Sequence, residues 1–164
     1  FLFIISFTFF NRYIRRNLKM ERIFFETIFI LNIILLTFLY IKLFRNIISF
    51  RGRLKIALGD GKNIELERAI RAHSNFNENV PMGLLLSMFL YFHNYLIFCV
   101  ISTSMLFIGR LLHSRGILDI NEDKTSYDLR RKGMKITIYS HLISVAGLAL
   151  YLVQTLYFYY INLN

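Results

Sequence analysis

An all-α integral membrane protein, built as a four-helix antiparallel transmembrane bundle, is the fold this sequence predicts. Three observations carry that expectation. Of the 164 residues, 55% are hydrophobic, and the mean hydropathy is positive at +0.47. The apolar residues fall in blocks long enough to cross a bilayer, which takes about 20 residues of helix. The bases flank these blocks, so the net charge of +10 reads as a membrane-edge pattern and not as a nucleic-acid surface. A lipid bilayer is therefore the expected partner, and nucleic acid is not. Cys99 is the one cysteine, which rules out an intrachain disulfide framework and a cysteine metal cluster.

Residues 1–10 are apolar and are followed by Arg12, Arg15, Arg16 and Lys19. A secretory signal carries its charge before the apolar stretch, not after it. Residues 1–19 are expected to be a non-native N-terminal extension, with the native start at Met20 and one domain over 20–164. Span one is predicted from about Ile23 to Ile48, interrupted only by Glu26, Asn32, Lys42 and Arg45. Ala57-Leu-Gly-Asp-Gly61 reads as a turn, after which Asn63 or Asp60 caps a helix from Ile64 to Phe92. Its first half is polar and its second apolar, with Pro81 expected to kink it and free a carbonyl. A break at His93-Asn94 precedes span three, about Tyr95 to His113. A polar connection over 114–132 follows, in which Thr125-Ser-Tyr-Asp128 reads as a capping box. Span four then runs to about Ile161, with Ser144, Gly147 and Ala149 as a small-residue patch for close helix packing.

Charge sets the expected orientation. Most of the 20 bases lie in or beside the loop after span one and the loop between spans three and four. The turn between spans two and three has no Lys or Arg, and neither has the tail after span four. The basic loops should be cytoplasmic and both termini outside. Tyr91, Tyr95 and Tyr157-Phe-Tyr-Tyr160 would form an aromatic belt at the outer interface.

The informative segment is the start of helix two. At about 100° per residue, Arg68, Arg71, Asn75, Glu78 and Asn79 fall within an arc of roughly 100°. Ionisable groups entering a bilayer are costly unless they face protein or water, so this stripe should line a bundle or subunit interface. The bland alternative is an internal ion pair such as Arg71 with Glu78, which locks helices without binding anything. Two further clusters point to the same end. Arg110 and His113 share a face near the close of span three, and Arg130-Arg131-Lys132-Gly133-Met134 opens span four, with Thr137 beyond. Basic residues at a membrane edge also serve as topology signals and headgroup contacts, and His113 is read equally well as a ligand contact or a hydrogen-bonded interface histidine. No metal site is expected, since His93 and His141 have no carboxylate at ligand spacing.

Arg71-Ala-x-x-Asn75-x-x-Glu78-x-x-Pro81 on the second of four helices resembles the signature of the MAPEG superfamily (membrane-associated proteins in eicosanoid and glutathione metabolism). Ala57-Leu-Gly-Asp-Gly61, Arg71-Ala-His-Ser-Asn75, Gly109-Arg-Leu-Leu-His113 and Arg131-Lys-Gly-Met134 look like its bacterial inner-membrane branch. The resemblance covers Met20 to the C-terminus. It implies a homotrimer with glutathione, as co-substrate, held between subunits near the cytoplasmic face. Arg71 would meet a glutathione carboxylate, Glu78 its ammonium group, and Asn75 would complete the contact. Arg130 or Arg131 matches the arginine that stabilises the thiolate. Members with known activity often carry Tyr where Asn79 and His113 stand here.

The function implied is a membrane-bound glutathione-dependent transferase or peroxidase acting on a small lipophilic electrophile. Arg68, Arg71, Asn75, Glu78, Arg110 and His113 are the expected binding residues, with Arg130 and Arg131 as catalytic candidates. A non-catalytic trimeric binding or scaffold protein is the alternative. A small transporter subunit is a third class, disfavoured by the lack of a polar residue midway through spans one and four.

Overall fold

The computed structural model describes the backbone of residues 2–121 and 123–163, and side chains from residue 19 onward within those limits. The stretch assigned above to a non-native extension has side chains outside the described residues, as does Glu122 in the last loop. The protein is all helical: α1 (Leu2–Leu54), α2 (Ile64–Phe92), α3 (Leu96–Leu118) and α4 (Lys124–Leu163). Short connections make the four helices run up and down. The α1–α2 and α3–α4 loops therefore share one end, the basic end.

Three helices are long and apolar enough to cross a membrane: residues 19–54 of α1, α3, and α4. α2 is the exception, because Glu65, Glu67, Arg68, Arg71 and Glu78 crowd its first half. Burial ranks the helices by position. Half of α3's most apolar stretch is buried inside the protein, against 28% for α1 and 22% for α4. α2 and α3 each touch all three other helices, α3 being the more buried, and among the described residues α1 and α4 do not meet. The apolar outer faces of α1 and α4, such as Phe38, Phe44, Leu142 and Leu152, are exposed and suit a lipid surface.

Glycine sets the closest approach, between α3 and α4. A Cβ on Gly133 would lie 2.6 Å from the Gly109 carbonyl oxygen and 2.6 Å from the His113 amide nitrogen. A Cβ on Gly109 would lie 2.6 Å from Thr137 Oγ1. Small residues let helix backbones meet where lipid offers no hydrophobic drive. Gly147 belongs to the same device, seated on Leu90 and Phe98, as its small-residue patch predicts.

Polar pairs tie the helices between these contacts. Asn32 Nδ2 donates to Ser104 Oγ at 2.8 Å and Thr103 Oγ1 at 3.2 Å, joining α1 to α3. Ser140 Oγ donates to the Ser102 carbonyl, joining α4 to α3. Ser87 and Ser102 share a hydroxyl contact at 3.0 Å. Spans one and four therefore do carry buried polar groups, including Asn32, Ser140 and Ser144. That removes the feature weighed against transport.

The element limits show where local signals competed. Asn63 caps α2 as read, accepting from the Leu66 amide at 2.9 Å. α2 then runs through Pro81 without interruption. The break at His93-Asn94 is also present, with Asn94 at φ +63°, a conformation Asn tolerates well. The connection of 114–132 is much shorter than expected. α3 continues to Leu118, because Gly116 and Ile117 are buried, and α4 begins at Lys124. The cap of α4 is Asp123, not Thr125: its Oδ1 accepts from the Ser126 amide at 2.8 Å. A carboxylate two residues upstream outcompetes the hydroxyl, since Asp caps a helix at least as well as Thr.

A candidate ligand cavity at the basic end

The basic end holds a cavity of about 500 Å³ between α2, α3 and α4. α2 supplies Arg68, Arg71, Asn75 and Glu78, the polar stripe, at helical spacing. α3 contributes His113 and α4 contributes Arg130 and Met134. The three clusters read from the sequence thus meet around one space. Three guanidinium groups and the carboxylates of Glu67 and Glu78 surround it, so its wall suits a ligand that carries both signs with an excess of negative charge.

The cavity residues divide by what already occupies them. Arg68 Nη1 donates to the Ile117 and Asp119 carbonyls at 3.0 and 2.8 Å. It thereby satisfies carbonyls that the end of α3 leaves without helical partners. Asn75 Oδ1 accepts from Arg110 Nη1 at 2.5 Å. Arg71 and Glu78 differ: both are exposed, and neither has a hydrogen bond or ion pair among the described residues. Seven residues of helix put them about 10 Å apart along the axis. The internal Arg71–Glu78 lock is therefore not formed, and both charges remain available to a ligand.

Arg110 needs correction as a direct ligand contact. It is 2% exposed and stands outside the cavity lining. Its Nε and Nη2 donate to Thr137 Oγ1 at 2.9 and 2.7 Å, and its Nη1 also reaches the Asn75 carbonyl at 3.3 Å. Thr137 Oγ1 in turn donates a hydrogen bond to the Gly133 carbonyl at 3.0 Å. Arg110 is a clamp within the bundle, holding Asn75 of α2 against Thr137 of α4. Glu78 is the carboxylate whose charge acts on it.

Arg131 also falls outside the cavity. One residue of helix is a turn of about 100°, so Arg130 faces inward while Arg131 faces outward and pairs with Asp128 at 3.2 Å. Asn79 ends the stripe without joining the lining. Its Nδ2 donates to the Asn75 carbonyl at 2.8 Å, and its own carbonyl lies 3.2 Å from His141 Nε2. His113 answers to both readings made of it. Its Nδ1 sits 3.0 Å from the Arg130 carbonyl, and its ring also lines the cavity.

Glu67 and Ser74 line the space and escaped sequence reasoning. Both lie one helical step from Arg71, at i−4 and i+3, just beyond the arc drawn through the stripe. The four-residue steps from Glu67 to Arg71 and from Ser74 to Glu78 were the available signal. Among the described residues, no three of His, Cys, Asp and Glu gather as a metal-binding set.

An apolar four-helix architecture with a charged cavity at one end defines a small membrane protein with a polar cavity at its basic end. Comparison with known proteins makes the assignment specific: residues 29–157 match the MAPEG family, and the chain belongs to that family. It is 30% identical over 113 residues to the inner membrane protein YecN of Escherichia coli strain K12, which covers 68% of this chain and 82% of the relative. YecN of Escherichia coli O6:H1 matches with the same identity and coverage. No solved structure is a significant match.

Proposed function

We propose that this protein is a glutathione-dependent transferase or peroxidase acting on a small lipophilic electrophile. The observation that carries the reading is the pair Arg71 and Glu78, charged, exposed and unengaged among the described residues, on the wall of a cavity of about 500 Å³. Glutathione has two carboxylates and one ammonium group. A guanidinium binds a carboxylate through two parallel hydrogen bonds, and Glu78 provides the counter-charge for the amine. Arg130 is the cation on the facing helix and would stabilise a thiolate. The apolar exterior of the bundle gives a lipophilic second substrate a route from the bilayer.

The assembly proposed is a homotrimer in a bacterial inner membrane, with all four helices crossing. The basic loops face the cytoplasm and both termini face out. A buried α2 is the physical reason for an oligomer: its charged stripe is shielded from lipid only if protein or water covers it.

A second reading, a non-catalytic trimeric binding or scaffold protein, is favoured by Arg68 and Asn75. Both are committed to internal hydrogen bonds, and His113 and Asn79 stand where active relatives often have Tyr. The deciding experiment purifies the protein in detergent and measures thermal stabilisation by millimolar glutathione. It then measures conjugation of an aromatic electrophile, for wild type and Arg71→Ala. A shift lost in Arg71→Ala together with turnover supports the enzyme. A shift without turnover supports the binding protein. Absence of any shift in wild type removes both glutathione readings.

A further inference from the structure

His113 is buried, at 7% exposure, yet it is part of the cavity wall. Its two ring nitrogens have different fates. Nδ1 lies 3.0 Å from the Arg130 carbonyl, and a carbonyl only accepts. Nδ1 therefore carries the hydrogen, and in the neutral ring Nε2 is a bare acceptor. That Nε2 is enclosed and has no hydrogen-bond partner among the described residues. A buried polar atom without a partner carries a desolvation cost that a ligand donor would relieve. The hydrogen bond at Nδ1 fixes the tautomer, as the second nitrogen's partner does in histidines that act as bases.

We infer that His113 Nε2 is the proton acceptor for the ligand thiol, an inference that rests on the glutathione reading of the cavity. The S–H bond breaks, its proton binds Nε2, and its electron pair stays on sulfur. The products are a thiolate and an imidazolium whose Nδ1–H still points to the Arg130 carbonyl. The charged groups that line the same cavity are Glu67, Arg68, Arg71 and Glu78 on α2 and Arg130 on α4, and the charges of Arg110 on α3 and Arg130 act on the ring itself. The arginines offset the new negative charge on sulfur, and the carboxylates offset the new positive charge on the ring.

Two substitutions separate this role from a structural pin. Asn in place of His113 keeps an N–H for the Arg130 carbonyl. Gln puts an amide near the Nε2 position and loses that N–H. Neither can accept a proton. The full chain in detergent is titrated with glutathione and with S-methylglutathione, which has no thiol proton. Thermal stabilisation reports binding, and ultraviolet thiolate absorbance across pH reports ionisation of the bound thiol.

The expected result is that glutathione still stabilises His113→Asn and His113→Gln, while the midpoint of thiolate formation rises by at least about one pH unit in both, a tenfold loss of thiolate per unit. S-methylglutathione gives no thiolate signal in any of the proteins. Where one variant fails to fold, an unchanged midpoint in the other overturns the role, and a rise supports it only in His113→Asn, which keeps the N–H for the Arg130 carbonyl. An unchanged midpoint in the variants with stabilisation retained overturns the proton-acceptor role and leaves the glutathione reading standing. A rise in His113→Gln alone also overturns it, since that pattern belongs to the Arg130 pin. If neither tripeptide stabilises the wild type, the glutathione reading falls and takes this role with it.

Discussion

The two ends of the bundle are made of the same four helices and hold themselves together by different means. At the end with the α2–α3 turn, rings do the packing. Phe29 stacks on Tyr91 at 5.3 Å, His93 on Tyr151 at 3.8 Å, and the Tyr95 hydroxyl donates to Gln154. At the basic end, glycine brings α3 and α4 into backbone contact and a guanidinium network joins α2 to them. Rings fill the space between the helices there. Backbone contact at one seam pulls α3 and α4 together, while the long side chains of α2 hold their distance, and a cavity stays open between them. The comparison teaches that the site is a by-product of how this end is packed, so disturbing the packing and disturbing the binding charges should have separable effects.

The largest effect is expected from Gly133→Val. Every direction for the new side chain meets backbone, with the Gly109 carbonyl and the His113 amide each 2.6 Å from the first added carbon. Overpacking costs about 1–3 kcal/mol where side chains can shift, and rigid backbone places this substitution at or above the top of that range. Thermal unfolding in detergent should show a loss of many degrees and a loss of the glutathione response, because the α3–α4 seam opens. A variant with wild-type stability would show that the two helices are not in backbone contact.

Next comes the contrast between two arginines, Arg71 and Arg110, that the sequence pattern treats alike. Arg110→Met removes the guanidinium donors to Thr137 Oγ1 and Asn75 Oδ1, and hydrogen bonds from a charged group contribute about 1.5–3 kcal/mol. Its stability should fall by that order. Arg71→Ala should leave stability within about 0.5 kcal/mol, as for a surface position outside any network, while removing the stabilisation by glutathione. Equal losses of stability in the two variants would erase the division between clamp and ligand contact.

A smaller effect is expected at the other end. His93→Ala removes a ring stacked on Tyr151 at 3.8 Å, an arrangement that contributes about 0.5–1.5 kcal/mol beyond its buried area. Unfolding temperature should drop modestly, and the glutathione response of the folded protein should not change. A changed response would mean that the ends are coupled.

Much of this was legible in the sequence because bilayer-length apolar blocks and a helical stripe of charges are local patterns. Helix two was placed at Ile64 to Phe92, and the cavity wall of Arg68, Arg71, Asn75 and Glu78 follows from a period of 3.6. Three features were not legible, each for a physical reason. The burial of Arg110 depends on Thr137, 27 positions away in sequence, and on how closely Gly109 and Gly133 meet. The choice between Arg130 and Arg131 depends on the rotation of α4, which tertiary contacts set and its sequence pattern does not. The limits of the last loop were misplaced because Ser114–Leu118 is polar by composition, while Gly116 and Ile117 are buried against neighbours.

The smallest effect concerns the start of α4, which orients Arg130. The Ser126 amide, donating to Asp123, holds that carboxyl below its usual range, with the Ser126 and Thr125 side chains adding to the effect. A lowered pKa in the folded state means the ionised carboxylate stabilises the fold. That contribution is present above the unfolded value of about 4 and is lost as pH falls through the lower folded value. Acid titration of the wild type below about pH 4 should therefore fray the first turn of α4, read by hydrogen exchange at the Ser126 and Tyr127 amides. Asp123→Asn keeps a capping oxygen without a charge, so the protection of these amides relative to their intrinsic exchange rates should be flat across the same pH window. If the variant shows the same acid dependence as the wild type, the turn that aims Arg130 is held by something other than this carboxylate.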